Sequence, residues 1–196
     1  SRSIIIARRI GGSGPLTTVH TEGQIDIGTG TTLADVIGGT GIVFNGGGSL
    51  VTVTTTNSNV RLNGAVSLNS GVRIDTGAGT GDVVFTNDSP IDSQNSEFNN
   101  LAINAGTGTV RFNNDLGKTQ RLGSFTVENS FQVIFGESDV SIGHGMIGPV
   151  TQINTNGSID IGSASVVTNG VMLNGGSGNM LAITTTGDSV RVNGAA

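Results

Sequence analysis

Residues 41–66 read GIVFNGGGSLVTVTTTNSNVRLNGAV, and residues 170–196 read GVMLNGGSGNMLAITTTGDSVRVNGAA. A second matching pair precedes them, GQIDIG at 23–28 and GSIDIG at 157–162. The segment 23–66 therefore resembles 157–196 with only small gaps, across a long non-matching stretch. Self-similarity at a long period points to arrays and solenoids before other folds. A finer echo links VRLNGA, VRFNND and VRVNGA, at 60–65, 110–115 and 190–195.

Between and around the copies the same rhythm continues. Short alternating runs recur at 72–75 (VRID), 101–104 (LAIN), 125–128 (FTVE), 132–135 (QVIF) and many other places. Apolar residues there alternate with polar or small ones, so each run buries one face as a strand does. No window sustains a helical period, and the chain reads as all-β. Each run is closed by Asn, Asp or Gly, residues that turn the chain at little steric cost. Asn-Gly between alternating strands is also a hairpin signal, which makes an antiparallel β-sandwich the alternative fold. Sandwich strands run longer than these, however. The spacing fits a parallel β-solenoid with short faces and tight corners.

At ~22 residues per coil and ~4.8 Å between coils, residues 1–196 predict one domain of about eight to nine coils, roughly 40 Å long. The expected core is Val, Ile, Leu and the seven Phe. The second copy of the repeat stops where the first runs on into VSLNSG. That predicts either a segment of a longer array or copies that stack head to tail, since an uncovered coil leaves unpaired backbone groups. Ile4, Ile5 and Ile6 with Val190 and Val192 are the candidate end-stacking interface.

Composition narrows the function classes. Charged residues are 12% of the chain, about half the usual share, and Lys plus Arg number only 9 against a net charge of -5. No basic stripe exists to neutralise phosphates, which argues against nucleic acid as a partner. Disorder is also disfavoured, because β-branched residues are abundant and net charge is low. There is no Cys, hence neither a disulfide framework nor a thiolate metal site. No apolar run is long enough to span a bilayer. Residues 1–12 (SRSIIIARRIGG) lack the hydrophobic region and cleavage site of a signal peptide, so an export signal is expected to be already removed or outside this chain.

Residues 101–117 (LAINAGTGTVRFNNDLG) and 122–129 (LGSFTVEN) resemble the passenger repeats of filamentous-haemagglutinin-type adhesins and autotransporters of Gram-negative bacteria. The resemblance implies a right-handed parallel β-helix at the cell surface or secreted, acting in adhesion, biofilm or filament formation. It implies partners in neighbouring repeats or head-to-tail copies of the chain itself, and in host or matrix glycans or proteins. It brings no common catalytic residues, and no cofactor.

Chemistry-bearing motifs are sparse. GHGMIG at 143–148 matches a dinucleotide fingerprint, but Pro149 and a strand follow it where a phosphate-binding helix is required. GAGTGD at 77–82 approaches a calcium-roll turn, yet one carboxylate cannot supply six to eight oxygen ligands. Asp75, Asp82, Asp88 and Asp92, near Arg73, form the best acidic cluster for a polysaccharide-processing β-helix enzyme or glycan-binding domain, the alternative function. Their simpler reading is strand ends and turns, and the chain is expected not to be an enzyme. His20 and His144 are far apart, too few for zinc. Arg61, Arg73, Arg111 and Arg191 each follow Val and read as outward ladder residues. Thr52, Thr54 and Thr184 to Thr186 do not form the regular rank that ice binding needs.

Overall fold

The computed structural model describes residues 4–6 (backbone only), 15–28, 41–136, 149–176 and 179–194. It is all-β, and every strand pairing among these residues is parallel. The antiparallel sandwich is thereby excluded for the described strands, and the architecture is that of a β-helix or solenoid.

The strands distribute over three faces, with numbering in chain order. Face A stacks β1 (Ile4–Ile6), β3 (Ile25–Ile27), β6 (Val60–Leu62), β9 (Val83–Phe85), β12 (Thr109–Phe112), β14 (Gln132–Phe135) and β17 (Val171–Leu173). Face B stacks β2 (Thr18–Thr21), β5 (Val51–Thr55), β8 (Val72–Asp75), β11 (Leu101–Asn104), β13 (Phe125–Asn129), β16 (Ile159–Ile161) and β19 (Val190–Val192). Face C holds β4 (Ile42–Phe44), β7 (Val66–Leu68) and β10 (Ile91–Ser93), then β15 (Gln152–Asn154) and β18 (Ala182–Thr184). Single-residue bridges through Leu116, to Ile91 below and Ile153 above, join the two parts of face C. From β3 onward the chain visits A, then C, then B in every coil. Each long face carries seven strands among the described residues, against an expectation of eight to nine coils. The difference lies in coil length: Val60 stacks under Val83, but Val133 stacks under a residue as distant as Val171.

Burial follows the alternation read from the sequence. In β3, β4, β5, β7, β8 and β11 the odd positions are buried and the even ones partly exposed. Parallel register then places like on like. Phe85, Phe112 and Phe135 are register partners, and their rings stack at 5.0 and 5.1 Å with planes 12° and 11° apart. Phe125 meets Phe112 and Phe135 edge-on from face B. Phe44 is buried as well, but Phe98 and Phe131 are half exposed. The expectation of seven core Phe is therefore corrected to five: Phe98 lies in the loop between β10 and β11, and Phe131 at the bend between β13 and β14.

Corners recur in one form. Gly28 follows β3 with φ +82°, and a Cβ there would meet the Asn63 carbonyl oxygen at 2.0 Å. One coil later the Asn63 side-chain amide donates to the Gly28 carbonyl at 2.7 Å. Only glycine fits both the positive φ and this approach. Asn174 clasps Gly136 at 2.7 Å and Asn193 clasps Gly162 at 3.2 Å in the same way.

The internal repeat has an unexpected placement. β3 and β16 carry the same IDI, yet lie on faces A and B. Likewise β4 matches β17, β5 matches β18 and β6 matches β19, each second copy lying on the face that precedes its counterpart's in the A, C, B order. The match also extends upstream, where 14–23 (GPLTTVHTEG) corresponds to 148–157 (GPVTQINTNG), placing β2 against β15. Local contacts survive the change of face. Gly47 N–H bonds Asn45 Oδ1 at 2.9 Å, and Gly176 N–H bonds Asn174 Oδ1 at 2.9 Å. Pro15 lies against Gly47 as Pro149 does against Gly176.

Phe112 touches three other rings, so Phe112→Ala is expected to cost about 3–5 kcal/mol through lost burial and a cavity. Phe98→Ala should change stability by under about 1 kcal/mol. Urea denaturation of both variants measures the contrast.

Candidate functional site

The polar outer surface is built by the same register as the core. On face A, Asp26 stacks under Arg61, and the two pair at 2.8 Å with side chains only 15% and 7% exposed. On face B the repeat places Asp160 under Arg191, with two hydrogen bonds of 2.8 Å; there the Arg191 side chain is 53% exposed. Arg111 pairs with Asp82 at 3.1 Å. Arg73 reaches both Asp75, at 3.0 Å, and Glu128. Glu128 is the residue left without a register partner by a bulge in β13, where Ile103 meets Val127 but Asn104 meets Asn129.

These contacts disperse the acidic cluster. Asp75 closes a strand of face B. Beyond Arg73 it accepts the Gly77 N–H at 2.9 Å and the Asn104 amide at 3.0 Å. Partial burial works to raise its pKa, but the Gly77 N–H, the Arg73 guanidinium and the Asn104 amide together hold it below the ordinary 3.8. Asp82 immediately precedes β9 of face A and accepts the Thr109 N–H at 2.8 Å. Asp92, on face C, takes the N–H groups of Thr119 and Gln120 at 2.9 and 3.0 Å. Asp88 sits exposed in a turn. Three of the four carboxylates are thus tied into coil-to-coil bonds on different faces.

At the corner where face B turns into face A, a polar column rises along the axis. Asn104 donates to Asp75, Asn129 donates to Asn104 at 3.1 Å, and the Ser165 hydroxyl donates to Asn129 Oδ1 at 2.7 Å. With Gly77, Gly106 and Thr107 these residues line an open cleft of about 570 Å³. The cleft takes in the start of the GAGTGD turn, whose Gly79 N–H bonds Asn57 Oδ1 at 2.7 Å. Among the described residues no three His, Asp or Glu side chains group so as to hold a metal ion.

Among the described residues Asp115 is the most deeply placed carboxylate of the ion pairs, its side chain 5% exposed. It accepts the N–H groups of Thr151 and Gln152 at 2.6 and 3.0 Å and the Lys118 ammonium at 2.7 Å. These tie Leu116, a one-residue stand-in for a strand of face C, to β15 in the next coil. No sequence signal singled it out, because its ligands lie some distance along the chain. Burial raises its pKa, and Lys118 with the Thr151 and Gln152 N–H groups more than reverse that, lowering it below 3.8.

Of the other sequence candidates, His20 accepts or donates through Nδ1 to the Thr54 hydroxyl at 2.7 Å on the outside of face B. Thr18 and His20 stack on Thr52 and Thr54, but the next strand presents Arg73 and Asp75. His144 and the GHGMIG stretch lie outside the described residues. Among the described strands β1 is the first of face A and β19 the last of face B, so Ile4, Ile5 and Ile6 lie at one end of the described stack and Val190 and Val192 at the other. Val190 and Val192 are 47% and 39% exposed, although their register partners Ile159 and Ile161 are buried. The side chains of Ile4, Ile5 and Ile6 fall outside the description. Among the described residues no helix is long and apolar enough to cross a membrane. No family model, curated protein or solved structure matches this chain.

Two outcomes are expected here. Arg61→Ala strands a buried Asp26 carboxylate and should cost roughly 3–5 kcal/mol, whereas Arg191→Ala, at an exposed copy of the same pair, should leave the melting temperature nearly unchanged. Asp75 and Asp115 both have folded-state pKa values below their unfolded ones, so their stabilisation is complete above the ordinary carboxylate range and is lost as pH falls through the folded values. Asp115→Asn should lower stability at pH 7 by about 2 kcal/mol and flatten the loss seen below about pH 4. Urea titrations at stepped pH measure both terms.

Proposed function

We propose that this chain is an extracellular structural and adhesive module, a stretch of bacterial surface β-helix acting as a stalk segment or as a unit of a head-to-tail filament. The observation that carries the reading is the repeat that recurs on different faces of the stack. A unit able to sit in two settings on different faces of the stack, with its corner clasps and cross-coil ion pair intact, belongs to an architecture that grows by adding coils. The finer reading is a right-handed helix, the general rule for parallel crossovers. Secretion or display at the cell surface is what the adhesin resemblance of residues 101–117 and 122–129 implies, as are biofilm roles and host or matrix glycans or proteins as partners. Nucleic acid and bilayer insertion are not part of it.

A glycan-binding role for the same module is favoured by the Asp75–Asn104–Asn129 cleft, whose amides and hydroxyls suit a polyhydroxylated ligand. Polysaccharide processing is the enzymatic alternative, and the separate structural bonds of Asp75, Asp82 and Asp92 count against it.

Small-angle scattering and a reducing-end assay test the proposal together. The expected outcome is a stiff particle of uniform cross-section that releases no new reducing ends from acidic or neutral polysaccharides. Turnover that disappears in Asp75→Asn or Asp82→Asn would overturn it in favour of an enzyme.

A further inference from the structure

The polar column at the edge of face B is longer than the cleft it lines. His20 is the register partner of Thr54, Thr54 of Asp75, Asp75 of Asn104 and Asn104 of Asn129. His20 Nδ1 meets the Thr54 hydroxyl at 2.7 Å, and Ser165 continues the line above Asn129. Successive coils from β2 to the corner after β16 thus each present one hydrogen-bonding side chain, in one track along the axis. At ~4.8 Å per coil its five steps span roughly 24 Å.

The middle of the track keeps groups that the fold does not use. An amide offers two N–H groups and two acceptor lone pairs. Asn104 gives one N–H to Asp75, and its oxygen accepts from the Gly106 N–H and from Asn129. Asn129 gives one N–H to Asn104, and its oxygen accepts the Ser165 hydroxyl. Among the described residues, no protein partner takes the second N–H of either amide, the second lone pair of Asn129 Oδ1 or the Thr107 hydroxyl. All three residues line the open cleft of about 570 Å³, a size that suits a small or chain-like ligand.

Charge selects what these groups can hold. Beside the track Arg73 serves both Asp75 and Glu128, which leaves one negative charge in excess and disfavours a polyanion. A calcium ion would need six to eight oxygens, whereas Asp75 already accepts from Gly77, Asn104 and Arg73. A neutral ligand rich in hydroxyls fits, because each hydroxyl both donates and accepts. Spacing selects its shape. A chain held by equivalent groups on successive coils must repeat at close to the coil rise. Extended β-linked pyranose chains do so, one sugar per coil, while α-linked chains wind into helices that rise much less per sugar.

We infer that this column binds a neutral, extended, β-linked glycan lying parallel to the axis, with adjacent sugars over Asn104 and Asn129 and a hydroxyl on Thr107. The inference rests on the glycan-binding reading of the cleft and names its ligand class and direction.

Calorimetric titration with cellohexaose, cellobiose, maltohexaose and an oligogalacturonate tests it. Cellohexaose should bind about tenfold more tightly than each of the other three. Thr107→Val removes a hydroxyl that holds nothing in the fold, and it should weaken cellohexaose about fivefold. Asn129→Ala should weaken it by at least as much. Tighter binding of maltohexaose or oligogalacturonate, lost in the same variants, would overturn the ligand class and leave a glycan-binding cleft standing. Cellohexaose binding that neither variant changes would overturn the site. No binding by any of the four would overturn glycan binding altogether, and the scattering profile would still judge the structural module by itself.

Discussion

Hydrogen bonds between coils run parallel to the axis, and that single constraint orders the rest of the molecule. Parallel pairing forces each residue to stack on its register partner in the coil below, so every column along the axis must be compatible with itself. Inside, the solution is like on like. Val72, Val51 and Leu101 share one column of face B, and the three stacked Phe share another on face A. Aromatic stacking at about 5 Å spacing suits the coil repeat closely. The ring of one coil covers the ring of the next without displacing either backbone.

Outside, the same rule forbids repetition, because like charges stacked directly destabilise. Columns there alternate sign or dilute it. Asp26 lies under Arg61, Asp160 under Arg191, and Arg73 lies between Thr52 and Ala102. Ala102 has no long side chain above Arg73, and the bulge that sets Glu128 out of register supplies the guanidinium with a second carboxylate. At the corner above, the Asp75–Asn104–Asn129 column uses amides, which both donate and accept and so can repeat along an axis where carboxylates cannot. The low content of charged residues is a consequence of this outer surface: it is held by a few ordered pairs and many Thr, Ser and Asn.

Strand type was legible because it is local, and the solenoid because the internal repeat and the short, tightly turned runs are visible along the chain. Period-two alternation and Asn/Gly punctuation locate β3, β8 or β19 within a residue or so. Coil length was not legible, since it depends on how far a corner excursion runs before the chain returns. Face A shows the other limit. All three residues of β6 and of β9 are buried, and Val84 and Ile134, whose neighbours point into the core, are 4% and 2% exposed on the outer side. Alternation predicts which side of a strand faces the core, but not whether its other side is covered as well. The acidic residues failed as a cluster for a related reason. Asp75, Asp82 and Asp92 are close in sequence, and a three-faced coil sends neighbours along the chain to different faces. Asp115 went unmarked because the backbone groups it serves arrive only with the next coil.

The two copies of the repeat bring these points together. They are separated by a whole number of strands but not by a whole number of coils, so the same sequence meets different neighbours on a different face and keeps its local bonds. Its identity is therefore carried by the strand and the corner, while the burial of its inward residues depends on what stacks above. The covered Val60 and the exposed Val190 are the same residue in the same local structure. The free energy separating them belongs to the contact between coils, and in a solenoid that nearest-neighbour contact supplies most of the stability. Each coil added to such a stack covers the inward residues of the one below it, so extension and stability are here the same interaction.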